Sequence, residues 1–398
     1  MIDIKNLEDN LHLWKQGFIK RNLDLNLEDI VSARKNCLEL MAKVESLRAQ
    51  KNKAAKKQDK DVGARIKKEL DKLEKNLAAA YKKVEKLAAQ IPNLPFPDVP
   101  SGGEENNLVL ETVGKLPQVV EPKNHIALGK ALDIIDIDRG VKTSGSRFYF
   151  LKNQAVELEF ALVKWVMDLL KNKGFELMVP PQLVNKTVMK AGGYLGKNEN
   201  EIYKVQDDLY LIGTSEQSIL GYHLGEIIDL PKHYAAFSTC FRREAGSYGK
   251  DVKGIIRTHQ FDKVEMFSFV KPEESEKELE ILVKIEEEIL QKLEIPYQKV
   301  LLAAGDLSIP SAKTIDLESW LPSQKRYRET HSASNCTDWQ ARRANIRYKK
   351  GEYVNTLNGT AIAVGRILVV LMENHQQPDG SIKIPKVLHP YLSFKEIK

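Results

Sequence analysis

Two apolar seams in the first ninety residues leave little choice of local structure. Ile30, Ala33, Cys37, Leu40, Val44 and Leu47 follow alternating steps of three and four, and Leu70, Leu73, Leu77, Ala80, Val84 and Leu87 repeat the pattern. Such a repeat puts the apolar side chains on one stripe of a helix, which needs a second stripe to bury it. The stretch between the seams is too short for anything but a turn. The chain is therefore expected to double back as an antiparallel coiled-coil hairpin. Asn26, with Asp29 three residues on, is placed to cap the first helix, Gly63 to make the turn, and Pro92 to close the second helix. At about 1.5 Å per residue, each arm should reach roughly 40 Å.

Charge becomes informative once it is located. The formal net charge is +6, and residues 1–100 hold 21 Lys and Arg against 15 Asp and Glu, so the excess lies wholly in this first quarter. It gathers at the distal end, where residues 51–68 carry eight basic and two acidic side chains. A basic tip on a stiff stalk suits an anionic partner held away from the body, with RNA the first candidate and Lys51, Lys53, Lys56 and Lys57 the candidate contacts. A merely solvated coiled-coil face is the alternative.

From Ile91 the composition changes abruptly. IPNLPFPDVPSGG holds four prolines and two glycines in thirteen residues, which ends the helix and marks a boundary. We divide the chain into residues 1–100 and 101–398. The second part reads as α+β on a largely antiparallel sheet. Helical patterns at 152–173, 218–228, 273–293 and 361–375 alternate with strands at 175–179, 315–321 and 353–357 and a hairpin at 202–212. Cys37, Cys240 and Cys336 are far apart and form no CxxC pair, against both a disulfide framework and a zinc site. No apolar run is long enough to span a bilayer and MIDIKNLEDN lacks a signal-peptide pattern, so a cytoplasmic protein without membrane or DNA partners is expected.

The chemistry concentrates in CFRREAGSYGKDVKGIIRTHQFDKVE, Cys240 to Glu265. Two β-favouring runs, 234–241 and 257–269, flank a loop containing Gly246, Gly249 and Gly254, which reads as a hairpin with a mobile tip. Arg242, Arg243, Glu244, Arg257 and Glu265 sit where strands normally bury apolar groups. Guanidinium groups on rigid strands suit a polyphosphate and a carboxylate in one pocket; an amphipathic, solvated hairpin is the alternative. GxxxxGK[ST], GxGxxG after a first strand and GxSxG are all absent.

With these residues in view, the chain resembles the seryl-tRNA synthetases, class II aminoacyl-tRNA synthetases, along nearly its whole length. KGFELMVPPQL, CFRREAG with IIRTHQFDKVE, and NGTAIAVGRILVVLMEN are similar to the three class II motifs. GSRFYFLK, the TSE triplet at Thr214, Ser215 and Glu216, KTIDLESWLPSQKRYRE and TDWQARRANIRY carry the closer likeness. Neither HIGH nor KMSKS occurs. The resemblance implies an antiparallel-sheet catalytic domain behind a coiled-coil arm, a homodimer built on the first motif, and ATP, L-serine and serine tRNA as substrates; selenocysteine tRNA is left open. By the same resemblance, Arg242 would bridge the serine carboxylate and the α-phosphate, Arg257 would hold the γ-phosphate, and Glu244, Phe261 and Arg366 would surround the adenine. Arg243, Thr330 and His331 would lie along the ATP, and Glu329 with Ser332 would hold Mg²⁺. Arg242, Arg366 and Glu329 form the implied catalytic set. Thr214, Ser215 and Glu216 would surround the serine ammonium, with Glu265, Thr360 and Asn358 around its hydroxyl.

The chain departs from the family at TSE, where TAE is usual, and at RETHSASN, where something closer to REISSCSN is expected. His331 then lies between two implied metal ligands, either as a third ligand or pointing away. Two other readings stay open: an enzyme loading a carrier protein, whose relatives generally lack such an arm, and a non-catalytic RNA-binding or coiled-coil scaffold, which would not need these charged residues.

Overall fold

The computed structural model describes residues 2–119, 121–195, 199–245 and 254–398. The arm consists of helices Leu27–Lys56 and Lys60–Ala89, 30 residues each, or about 45 Å. Ile30, Ala33, Cys37 and Val44 of the first seam are buried, as are Leu70, Ala80 and Val84 of the second. Asn26 caps the first helix by accepting from the Glu28 amide. The turn falls at 57–59, earlier than Gly63. Gln58 takes a left-handed φ of 57°, and Asp59 accepts from the Val62 amide to start the second helix. An aspartate at an N-cap satisfies an orphan amide that glycine cannot, so Gly63 is drawn into the helix, where its missing side chain faces open space.

Two short helices that the heptad pattern does not reveal, Ile4–Asp9 and Leu11–Lys20, plug the base of the arm. Their Leu7, Trp14 and Phe18 share a core with Leu27, Ile30, Ala88 and Trp339. The Trp339 indole N–H also donates to the Ile91 carbonyl at 3.2 Å, which fastens the arm to the body.

The body is built on an eight-stranded sheet. Its strands are β1 (Leu108–Val113), β2 (Glu176–Met178), β3 (Lys232–Phe241), β4 (Gln260–Val270), β5 (Tyr297–Leu301), β6 (Lys313–Leu321), β7 (Arg326–Asn335) and β8 (Asn355–Ala363). They lie in the order β1-β5-β6-β7-β8-β4-β3-β2, every pairing antiparallel except β2 with β3. Val264, Met266, Leu317, Ala333 and Leu357 on one face form a single core with helices Gln154–Asn172, Ser275–Lys292 and Val364–His375. The opposite face is polar and concave.

The charged hairpin is β3 and β4, with Cys240 opposite Phe261 and Ala236 opposite Glu265. β4 begins at Gln260, so Arg257 sits on the approach to the strand. Residues 246–253 of the expected tip lie outside the described residues. Several boundaries move: the helix expected at 218–228 is Glu216–Tyr222, and residues 361–363 extend β8 before the last helix starts at Val364. In the expected 202–212 hairpin, Leu209–Leu211 pairs instead with Leu183–Asn185, leaving a single bridge from Lys204 to Tyr210. β5 and β7 were not anticipated. All three cysteines are buried and free, and among the described residues no helix is long and apolar enough to cross a membrane.

Candidate active site

The polar face of the sheet follows from strand alternation. Residues two apart point to the same side, so β4 presents Phe261, Lys263 and Glu265, β6 presents Thr314, Asp316 and Glu318, and β8 presents Asn358 and Thr360. Except for Phe261, which walls a smaller adjoining space, all of these line a cavity of about 790 Å³.

Glu329 and Ser332 are three residues apart and should face opposite ways, yet both line the cavity. In the β6–β7 ladder, Leu317 opposes His331 and Glu318 opposes Glu329, which leaves Thr330 as an extra residue. This bulge restores the common facing. It also turns His331 into the core, fully buried, with Nε2 3.2 Å from the Ala361 carbonyl and Nδ1 3.0 Å from the Thr330 hydroxyl. Burial lowers the His331 pKa to about 4. His331 is thus neither placed to ligate a metal nor part of the cavity wall, contrary to its expected position along ATP. The Thr330 side chain is tied to Ser319 at 2.7 Å, and the residue borders only the smaller space.

That space, about 60 Å³, shares Arg242, Arg257, Glu329 and Arg366 with the main cavity and is closed by Glu244, Phe261 and Gly365. Arg242 donates its Nε–H to the Gly213 carbonyl at 3.2 Å, and its guanidinium lies 5.4 Å from the centre of the Phe261 ring. Glu244 holds Arg257 at 3.2 Å and has a left-handed φ of 50°, the kind of backbone strain found at working sites. Arg366 donates to Glu329 Oε1 at 2.8 Å and to the Glu329 carbonyl at 3.1 Å. The Glu329 side chain is 47% exposed to the open cavity; enclosure there would raise its pKa, but Arg366, with Arg242 and Arg257 beyond it, holds the carboxyl below its usual range. Asp316 is driven the other way, well above, by burial and then by Glu329. Its Oδ1 is buried without a hydrogen-bond partner.

Elsewhere in the cavity wall, Glu216 is 4% exposed and opens a short helix. It accepts from Gln340 and, at 3.3 Å, from the Tyr194 hydroxyl. Burial, then the nearby Glu265, raise its pKa to about 7. Thr214 lines the cavity beside it, while Glu265 is ion-paired with Lys263. Besides His331, two expected residues fall outside. Ser215 is buried with its hydroxyl toward the Ala236 carbonyl. Arg243 is exposed, in neither cavity wall, with its backbone N–H on the Glu201 carbonyl. Asp316, Glu318, Tyr194 and Gln340 went unassigned in the sequence, although the alternation in TIDLESW carries a signal for the first two. Lys53, Lys56 and Lys57 are exposed at the distal end of the arm and Lys51 is half-buried.

Residues 200–375 match the family model for the tRNA synthetase class II core domain (G, H, P, S and T), and residues 1–95 match the seryl-tRNA synthetase N-terminal domain. A serine–tRNA ligase from Mycolicibacterium vanbaalenii is 43% identical over 411 residues, covering 98% of each chain. The crystal structure of seryl-tRNA synthetase from Pyrococcus horikoshii complexed with ATP is 39% identical with a TM-score of 0.92, over 100% of this chain and 99% of that one. The cytoplasmic serine-tRNA ligase of Naegleria fowleri in complex with AMP is 32% identical with a TM-score of 0.91, over 100% and 99%. On full-length identity, matching fold and a cavity of the corresponding chemistry, the chain belongs to the seryl-tRNA synthetase family.

Proposed function

We propose that this protein activates L-serine with ATP and transfers it to the 3′ end of serine tRNA. The observation that carries this reading is one cavity whose wall holds five arginines together with the buried carboxyl of Glu216; three of the arginines, Arg242, Arg257 and Arg366, also border the smaller space, which Glu216 does not reach. In the first step a serine carboxylate oxygen attacks the α-phosphorus of ATP. The new O–P bond forms as the bond to the β-phosphate oxygen breaks, and pyrophosphate leaves with that electron pair. The protein needs to position the reactants and offset charge rather than supply a nucleophile.

Arg242 bridges the carboxylate and the α-phosphate. Arg257 takes the γ-phosphate, and the small space between Phe261, Glu244 and Arg366 receives the adenine. Glu216 and Thr214 hold the ammonium, while Glu265, Thr360 and Asn358 read the hydroxyl. A pocket built to hydrogen-bond a hydroxyl rejects alanine because its own buried groups would go unpaired; threonine is excluded by size.

Among the described residues no group of three or more His, Cys, Asp or Glu can hold a metal unaided. Mg²⁺ is satisfied by one or two carboxylates plus substrate phosphates. The hard oxygens of Glu329 and Ser332, beside the unpartnered Asp316 Oδ1, fit it. When bound, it would neutralise phosphate charge.

The exposed apolar side chains Val179, Leu183 and Tyr222, which are 76%, 43% and 60% exposed and line one groove at the first motif, support a homodimer through this face. The tip lysines support tRNA docking by the arm, with residues 1–100 and 101–398 as tRNA-binding and catalytic domains of a cytoplasmic enzyme. Pyrophosphate exchange measured in parallel with serine, threonine, alanine and glycine tests the proposal. Exchange with serine alone is expected. Preference for another amino acid overturns the specificity, and exchange with none overturns the ligase reading.

A further inference from the structure

One wall of the cavity is made by Asp306, Ser308, Ile309 and Pro310, in a stretch without regular secondary structure. Leu307, Ser311 and Ala312 within it are buried, and buried backbone outside a helix or sheet ladder must find its partners elsewhere. Here six consecutive carbonyls, 307 to 312, each accept from a donor in the first hundred residues. Arg21 Nη1 donates to Leu307 at 3.2 Å and Ser308 at 3.3 Å, and its Nη2 donates to Ser311. The Asn93 amide donates to Ile309 and its Nδ2 to Pro310, both at 2.8 Å. The Phe96 amide donates to Ala312 at 3.0 Å. Just upstream, the Ala304 and Gly305 amides donate to the Pro100 and Gly102 carbonyls, both at 2.8 Å.

Arg21 is 5% exposed. Burial brings its pKa down to about 10, so it remains charged at neutral pH, and charge-assisted bonds are the stronger kind. Asn93 also donates to the Cys336 carbonyl at 2.8 Å, and the Cys336 thiol contacts the amide of Asn358, itself a cavity residue.

We infer that Arg21 and Asn93 are positioning residues of the active site, holding the 307–312 backbone so that Ser308, Ile309 and Pro310 close the cavity on serine and ATP. This rests on the function proposed above. A purely structural tie between arm and body would lower stability and leave the kinetics of the folded enzyme alone.

The test uses Arg21→Lys, Arg21→Met and Asn93→Ala in the full chain, with KM and kcat from serine-dependent exchange, tRNA affinity from filter binding, and melting by circular dichroism. A misplacement of about 1 Å can cost about a hundredfold, so KM for serine or ATP should rise by about tenfold or more. tRNA affinity should stay unchanged, and Arg21→Lys should lie between wild type and Arg21→Met. Folded variants with wild-type KM for both substrates overturn the inference. Should the Arg21 variants fail to fold, Asn93→Ala decides alone. Absence of exchange in the wild-type protein would strike the functional reading instead, so the two failures are distinguishable.

Discussion

Glu216 gives a prediction in which stability and function move in opposite directions. Its carboxyl is 4% exposed, and burial, then Glu265, raise its pKa from 4.5 to about 7. At about 1.4 kcal/mol for each tenfold change in proton affinity, ionising it in the fold costs about 3 kcal/mol. Below pH 4.5 the folded and unfolded chains both carry the protonated acid and nothing is lost. As pH rises from 4.5 to about 7 the unfolded chain ionises and the folded one resists, so stability falls, and above that the full cost remains. Glu216→Gln keeps the shape and an acceptor for Gln340 but removes the charge. With about 2.1 cal/mol/K per residue on unfolding, a 398-residue chain that unfolds cooperatively should melt about 4 °C higher than wild type at pH 8. The difference should vanish near pH 4. The same variant should lose serine-dependent exchange, because the ammonium has lost its anion, and wild-type KM for serine should fall as pH rises through about 7. Melting scans without ligand from pH 4 to 8, paired with exchange assays, check both halves. A Glu216→Gln protein that melts at or below wild type at pH 8 would refute the reasoning.

Arg242→Ala should reduce exchange by about a hundredfold or more, as loss of a preorganised charge donor does, without changing mass by light scattering; normal exchange would remove its assigned role. Replacing Lys51, Lys53, Lys56 and Lys57 by Gln should weaken tRNA charging and flatten its salt dependence while leaving exchange nearly intact; equal loss in both assays contradicts that division of labour. His331 is buried and neutral, with its pKa lowered to about 4 by burial. Stability present above pH 6.5 is therefore lost as pH falls toward 4, by up to about 3 kcal/mol, and acid melts of His331→Asn should show a shallower loss. Gly305→Ala would place a Cβ 2.6 Å from the Gly102 carbonyl oxygen, so it should lower the melting point and raise KM together; wild-type values for both would mean the junction yields freely.

What was legible in the sequence was whatever repeats at a fixed period or is held by one local bond. The seams, the Asn26 cap and the charged hairpin belong to this class. The tip turn was misplaced because two local signals competed, and an N-cap acceptor at Asp59 outweighs the freedom of Gly63.

The site itself depends on breaks in the period. A residue inserted at Thr330 makes Glu329 and Ser332 share a face and sends His331 to the core; another irregularity between Thr360 and Ile362 ends the alternation of β8 just past Thr360. A bulge is set by the pairing of two distant strands, so a pattern of period two read along one of them carries no trace of it. Arg21 was hidden for a related reason. Among the basic residues of the first hundred it looks like another solvated charge, and only the folded chain reveals the carbonyls of 307, 308 and 311 waiting for it. Leu307, Ser311 and Ala312 are buried outside any ladder, and their carbonyls borrow donors from a segment remote in sequence. That requirement ties the base of the arm to one wall of the catalytic cavity, although the tip is where the charge pattern draws the eye.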